Sequence, residues 1–269
     1  MGTSSSNPGQ SNNTPLVPSW LDDDNNQNIS EPMKDENEQP IEPKRFSTPR
    51  NNFTRFVKSG GDKKYLKSAS RAYVNTSLGG SNNATKRLGS ALRSTGNLIG
   101  LLGDLNKNGI SKTLRDQGLN SLVGMPLSDV FIGLVDYISP NGGRVDEGIA
   151  RDALDEAIID FAESMNDEVD IDKVSSHQLE ALIETYIVNV IQKRLINDIG
   201  NNLIELSGSV EEVNKIQEQI SDFIQGAVSD SINNVEGGAL LDIDSENVSD
   251  VVKQIYTEAY DILGSIGED

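Results

Sequence analysis

The residues best placed to do chemistry stand at the start of the chain, where the small Gly2 follows Met1. A methionine before glycine is expected to be removed, which leaves an unhindered α-amine. Part of such an amine is unprotonated at neutral pH, so it accepts acyl groups readily. The first six residues also fit the myristoylation pattern Met-Gly-x-x-x-Ser, a short and frequent pattern. Gly2 is therefore the candidate modification site.

A short apolar segment follows in an otherwise polar stretch. Residues 15–21, Pro-Leu-Val-Pro-Ser-Trp-Leu, contain the only tryptophan of the chain. Proline favours an extended backbone, and an aromatic residue in an extended segment is typical of a short docking anchor. Two interpretations stay open, docking on another protein and folding back onto the chain's own domain. The candidate anchor residues are Leu16, Val17, Trp20 and Leu21.

Basic residues alternate with aromatic ones between residues 45 and 71. Lysine and arginine contact phosphates and aromatic rings stack on bases, so this pattern is typical of a nucleic-acid surface. A protein partner, or the acidic helices of the same chain, would also neutralise the basic charge. The candidate surface residues are Arg45, Arg55, Lys58, Lys63, Lys64, Lys67 and Arg71.

Other residue patterns give little support for catalysis or metal binding. Residues 104–110 resemble half of an EF-hand loop, but Arg115 stands where the loop needs a glutamate, which favours a simple helix-ending turn. Several carboxylates stand close together between Asp167 and Asp172. A metal site there is less favoured than a protein-binding role or a nucleic-acid-binding role of the chain. His177 is the only histidine and the chain has no cysteine. A Ser-His-Asp triad is therefore disfavoured, and a thiol nucleophile is excluded. We expect no catalytic residue, no resident metal and no cofactor.

The three segments of the chain that carry these residues differ in net charge. The chain has 269 residues and a net charge of −19. Residues 1–42 carry one basic and eight acidic side chains, residues 43–115 carry 15 and 2, and residues 116–269 carry 7 and 32. The sequence predicts an acidic, disordered tail over 1–42, a basic, Gly/Ser-rich and partly helical segment over 43–115, and an acidic α-helical domain over 116–269.

Helical periodicity predicts an all-α fold, with a bundle-like helical domain after the tail. Asp62 is a candidate N-cap for a helix that reaches Val74, and Ser81 for a helix that continues through Leu102. A short apolar helix is expected over Leu127–Ile138, and an amphipathic one follows from Val145 to Phe161.

Three further helices are predicted near the C-terminus. Ser175 with Gln178, and Ser209 with Glu212, match the capping box that opens a helix. The last helix is expected from about Ser245 to a stop at Gly264. No run is apolar enough to span a membrane and no signal peptide is apparent, so a cytoplasmic protein is expected.

Several of these segments together resemble the QatB family of bacterial Qat anti-phage defence systems. The resemblance lies in Met1-Gly-Thr-Ser-Ser-Ser, Pro15-Leu-Val-Pro-Ser-Trp20, the basic stretch from Arg45 to Gly61, Tyr73-Val74 with Gly79-Gly80, and residues 140–151. It implies a non-enzymatic adaptor encoded beside an ATPase (QatA), a QueC-like enzyme (QatC) and a TatD-like nuclease (QatD).

The resemblance also implies a role for the N-terminus. QueC-like enzymes activate the carboxylate of a carboxy-deazaguanine with ATP and pass it to an amine. The resemblance suggests Gly2 as the acceptor, Thr3 and Ser4 as part of the handle that enters the enzyme, and Trp20 as a docking anchor. The alternative is a nucleic-acid-binding subunit that recruits the TatD-like nuclease to phage DNA through residues 43–115.

Overall fold

The computed structural model describes residues 44–140, 142–165, 174–200, 208–235 and 240–266. Ten α-helices lie in these ranges, together with a π-helix at Ala72–Leu78 and short 3₁₀ turns at Asn120–Leu122 and Leu240–Asp242. The α-helices are α1 (Ser47–Lys58), α2 (Lys63–Arg71), α3 (Ser81–Lys86), α4 (Ser90–Asn108), α5 (Ile110–Asp116), α6 (Leu127–Ile138), α7 (Val145–Ser164), α8 (Ser176–Ile199), α9 (Val210–Asn233) and α10 (Val248–Ser265).

The predicted all-α fold is confirmed, and within the described ranges no strand is present. One hydrophobic core collects side chains from both sides of the charge boundary near residue 115. Phe56 and Leu98 from the basic segment and Ile187 and Ile255 from the acidic one are all fully buried. The two segments differ in charge, but they contribute to the same core.

Several predicted helix boundaries are confirmed. The Asp62 side chain accepts a hydrogen bond from the Lys64 amide and caps α2. The apolar helix runs over Leu127–Ile138. Ser175 and Gln178 form the expected reciprocal capping box at the start of α8. Ser209 accepts from the Glu212 amide at the start of α9, but the Glu212 side chain accepts from the Gly208 amide, so only half of the predicted capping box forms there.

The prediction that Ser81 caps one long helix is wrong. Gly80 is the N-cap, and Ser81 is the first helical residue. The helix is also interrupted at residues 87–89, where Gly89 has φ +50°. A positive φ is strained for residues with a side chain, so glycine permits this break between α3 and α4. The run of apolar positions continues across the break, which is why periodicity alone missed it.

The predicted stop at Gly264 is also wrong, because this residue lies inside α10, which ends at Ser265. Gly264 is buried against the π-helix, and its carbonyl accepts a 2.9 Å hydrogen bond from the Asn75 side chain. A Cβ at this position would lie 2.9 Å from Asn75 Oδ1 and 3.1 Å from Val74 Cγ1. Glycine therefore serves close helix packing here and not helix termination.

The EF-hand-like stretch is a helix-ending turn, as expected. α4 ends at Asn108 and α5 begins at Ile110, with Gly109 between them. The Asp104 carbonyl accepts a hydrogen bond from Thr113 across the turn. Within the described ranges, no group of three candidate metal ligands is found. Among the helices of these ranges, none combines the length and apolar character of a bilayer span.

Candidate interaction surface

A two-helix hairpin carries most of the basic residues singled out in the sequence. α1 and α2 pack against each other and are joined by a tight turn at residues 59–62. Gly61 has φ +98° in this turn and lies against the Gln219 side chain of α9. The hairpin buries Phe53, Phe56 and Leu66 completely. This apolar side holds the hairpin on the body, and the opposite side faces solvent.

The structure brings six of the seven predicted surface residues together on the solvent-facing side, which we call the basic hairpin surface. All six side chains belong to α1 or α2 and are exposed: Arg55, Lys58, Lys63, Lys64, Lys67 and Arg71. Lys64 forms an ion pair with Asp62 at 2.9 Å. Asp62 is the only acidic residue in the hairpin, residues 47–71.

Arg45 differs from the other six because it is half-buried and takes part in anchoring the hairpin. Its guanidinium lies 4.9 Å from the ring centre of Phe46, and that of Arg50 lies 5.6 Å from the same ring. The Ser77 hydroxyl donates a 2.6 Å hydrogen bond to the Arg45 carbonyl. The chain is therefore fixed to the π-helix just before α1 begins.

A polar network around Asp198 holds the hairpin on the C-terminal end of α8. Asp198 Oδ2 accepts hydrogen bonds from the Tyr73 hydroxyl at 2.8 Å and from Arg194 Nε at 3.3 Å. Arg194 also pairs with Asp146 at the start of α7. Arg50 of α1 donates two hydrogen bonds to the Asp198 carbonyl, at 3.1 and 2.8 Å. These five residues, the Asp198 network, connect α1, the π-helix, α7 and α8.

The electrostatics of the Asp198 network favour fixed charges and a neutral tyrosine. Burial raises the pKa of Tyr73 well above its ordinary value, and the nearby Tyr260 and Asp198 add to the shift. Burial lowers the pKa of Arg194, but the attraction of Asp198 and Asp146 outweighs it and the net pKa is raised. Arginine near the last carbonyls of a helix also suits the helix dipole. Within this network, charge is therefore matched internally.

The Asp198 network was not predicted from the sequence. Arg194 and Asp198 stand four residues apart, a spacing typical of a helix ion pair, and this was the available signal. Tyr73 and Asp146 lie in segments that carry the family resemblance, but nothing in their spacing links them to residue 198. Only the tertiary fold, in which the π-helix packs on α1, α2, α3 and α10, brings Tyr73 to Asp198.

A second feature is an open groove whose floor is α8 and whose walls are α7 and α9. Both walls pack along α8, and they make little or no direct contact with each other. The groove has a volume of about 830 Å³. We call it the acidic groove. Its lining residues are Val145, Gly148, Ile149, Asp152, Glu156, Asp160, Asn189, Gln192, Lys193, Ile196, Asn197, Asn214, Gln217, Glu218 and Ser221.

The charge of the acidic groove is only partly compensated. Lys193 on the floor pairs with Glu156 at 2.8 Å and with Asp152 at 3.5 Å. Burial, followed by the negative charges of Glu156 and Glu163, raises the pKa of Asp160. In the described part of the chain, neither Asp160 nor Glu218 has a basic partner. Four carboxylates thus face one lysine, and this arrangement suits a positively charged occupant.

Among the described residues, the acidic helices leave four of the six basic side chains of the hairpin surface without an ion pair. Arg55, Lys58, Lys63 and Lys67 have no carboxylate partner among the residues that the structure describes. Neither α1 nor α2 makes more than marginal contact with α7, which carries three of the groove carboxylates. The surfaces of opposite charge therefore stay separate within one molecule.

Some predicted sites lie outside the described residues. These are Gly2 with Thr3 and Ser4, the segment from Leu16 and Val17 to Trp20 and Leu21, and the carboxylates of Asp167–Asp172. They remain predictions. His177 is described and is an exposed residue in the first turn of α8.

The chain matches a known protein family. The sequence profile of the family described as "Qat anti-phage system associated protein QatB" matches residues 79–263. These residues extend from the end of the π-helix into α10 and include the acidic groove. No curated protein and no solved structure matches the chain.

Proposed function

The chain belongs to the QatB family of Qat anti-phage system associated proteins, and we propose that it is a non-enzymatic adaptor of that system and the substrate of a modification at Gly2. The family match is the observation that carries the proposal, because it assigns the helical body to a multi-component defence system. The cytoplasm, where phage components are synthesised, is the proposed location.

The proposed modification is an amide bond between Gly2 and a deazaguanine. The QueC-like partner, QatC, activates the carboxylate of a carboxy-deazaguanine with ATP. The α-amine of Gly2 attacks the activated carbon, the C–N bond forms, the activating group leaves with the C–O bond electrons, and the amine proton passes to solvent. Thr3 and Ser4 are small enough to accompany Gly2 into a narrow active site.

The helical body supports this role as a platform. The chain is anchored at Arg45, Phe46 and Arg50, so residues 1–43 are tethered at a defined point of the body. An extended chain spans at most about 3.3–3.6 Å per residue, so 40 residues can span at most about 130–145 Å. Trp20 and its apolar neighbours would dock on a partner of the system: QatC, the ATPase QatA or the nuclease QatD.

The test is the intact mass of the N-terminal peptide from cells with and without the QueC-like enzyme. We expect an adduct on Gly2 only when the enzyme is present. The matched control is a variant with Trp20→Ala, which keeps the amine and removes the proposed anchor, so that docking and chemistry are measured separately. An unmodified glycine in both samples, from a strain in which defence works, would overturn the modification.

The second candidate function is recruitment of the TatD-like nuclease to phage DNA. It is favoured by one observation, the six exposed basic side chains on a single hairpin surface. Phosphate contacts from such residues give affinity that falls steeply with salt. Salt-dependent binding of duplex DNA that is lost on charge reversal at Lys63 and Lys67 would support it.

A further inference from the structure

Two surfaces of opposite charge lie on separate helices of this chain. On α2, Lys63 and Lys67 are one helical turn apart, exposed and without a carboxylate partner among the described residues. On α7, the groove carboxylates Asp152, Glu156 and Asp160 are spaced at the same interval. Four residues of α-helix rise about 6 Å, so the two rows of charge have the same spacing.

The acidic groove lies between two helices that pack on the same third helix. Its walls α7 and α9 both pack on α8 but scarcely on each other, so the position of a fourth helix in a bundle is open. Its floor offers the amide side chains of Asn189 and Gln192 beside the apolar Ile196, and its walls add Gln217 of α9 and Ile149 of α7. Amide oxygens accept hydrogen bonds from ammonium groups, and the apolar residues contact the methylene stems of lysine.

Within one molecule, no ion pair among the described residues joins the two surfaces. α2 is held on α1, the π-helix and α10 and makes little or no contact with α7, and the hairpin turn meets the α9 wall at Gly61 and Gln219, which carry no charge. From this complementarity we propose that the basic hairpin surface of one copy docks into the acidic groove of a second copy.

The docking is head-to-tail, because the hairpin surface and the groove consist of different residues. An interface of this kind leaves a free hairpin on one copy and a free groove on the other, so it closes into a ring or continues as an open chain. Exposed ion pairs are individually weak, and the net charge of −19 opposes close approach. Association is therefore expected at high protein concentration and low salt, as in a locally assembled defence complex.

The experiment is sedimentation velocity on the full chain at protein concentrations up to about 0.5 mM. In about 50 mM salt the weight-average sedimentation coefficient is expected to rise with concentration, and in about 500 mM salt it is expected to stay at the monomer value. A monomer at every concentration and in both buffers would overturn the proposal.

Charge-swapped variants decide which surfaces are responsible. The hairpin variant Lys63→Glu/Lys67→Glu and the groove variant Glu156→Lys/Asp160→Lys are each expected to weaken self-association about tenfold or more. An equimolar mixture of the two is expected to associate again, because each reversed surface then meets a complementary one. This recovery also demonstrates that both variants are folded.

Controls of the same sign, each with half the change in net charge, are Lys107→Glu on α4 and Asp116→Lys on α5, both exposed and outside the two surfaces. They are expected to associate like the parent chain. Equal weakening by these controls would mean that net charge governs association, and no recovery in the mixture would mean that the two surfaces do not meet. Either result overturns the proposal. If the groove binds a different protein instead, the mixture of variants shows no recovery, and the proposal is overturned in the same way.

Discussion

The hydroxyl of Tyr73 donates a 2.8 Å hydrogen bond to Oδ2 of Asp198, 125 residues further along the chain. Tyr73 is 1% exposed, and the side chains of Asp198 and Arg194 are 12% and 18% exposed. The bond joins the π-helix to the end of α8, where Arg50 also attaches α1. The position of the basic hairpin surface therefore depends on a buried polar network as well as on apolar packing.

Replacing Asp198 with alanine is expected to lower the free energy of unfolding by about 1–3 kcal/mol. The change leaves the buried Tyr73 hydroxyl without its acceptor and removes one carboxylate partner of Arg194. Equilibrium urea denaturation measures the loss. His177→Ala, at an exposed position in the first turn of the same helix, is the control and should cost no more than about 0.5 kcal/mol. Equal losses for the two variants would contradict a structural role of the network.

Gly264→Ala is expected to destabilise the fold by about 1–3 kcal/mol, because the added methyl group overlaps Asn75 and Val74. Gly226→Ala is the matched control on α9, since a Cβ there meets nothing within 4 Å. Alanine has the higher helix propensity, so this control is expected to be neutral or to stabilise by up to about 1 kcal/mol. Thermal unfolding of both variants checks the prediction, and a harmless Gly264→Ala would contradict the packing argument.

Asp160→Asn is expected to raise the thermal midpoint at pH 7. The pKa of Asp160 is raised in the folded protein, first by burial and then by Glu156 and Glu163. A raised folded pKa means that the group favours folding while it is protonated and that this contribution is lost as the pH rises through the folded pKa. The difference in thermal midpoint between the parent chain and the variant should therefore shrink as the pH falls below the folded pKa of Asp160. A difference in thermal midpoint that grows on acidification would contradict the prediction that ionisation of Asp160 destabilises the fold.

Charge reversal on the hairpin tests the DNA-recruitment function. If the hairpin contacts phosphates, Lys63→Glu/Lys67→Glu should lower the slope of log affinity against log salt by about 2 for a duplex DNA probe. Fluorescence anisotropy at several salt concentrations measures this slope. Lys107→Glu, exposed on α4, should leave it unchanged. Absence of DNA binding by the parent chain at low salt would remove this candidate function.

A bulky tag at the N-terminus is expected to abolish anti-phage defence while leaving the fold intact, because it blocks the proposed acceptor amine of Gly2. The same tag at the C-terminus is the control and should preserve more of the protection. Plating efficiency of phage on cells with the complete system measures defence, and circular dichroism checks the helical content. Full protection with the N-terminal tag would contradict free-amine chemistry at Gly2.

The sequence by itself determined the helices that are defined by local signals. The cap at Asp62, the capping box at Ser175 and Gln178, and the apolar helix Leu127–Ile138 were all predicted correctly. Such signals act between residues within one turn or one helix face, so they can be read from adjacent positions. The basic residues of α1 and α2 are exposed, as charged side chains usually are when they have no buried partner, and their role as a binding surface stays a prediction.

Tertiary structure decided the features that join distant parts of the chain. The break at Gly89 and the burial of Gly264 depend on what packs against them, and a glycine in a sequence does not distinguish a stop from a close contact. The Asp198 network and the acidic groove unite residues from helices far apart in sequence. Their energies come from burial and charge pairing between these helices, and such pairings leave no regular spacing in the sequence.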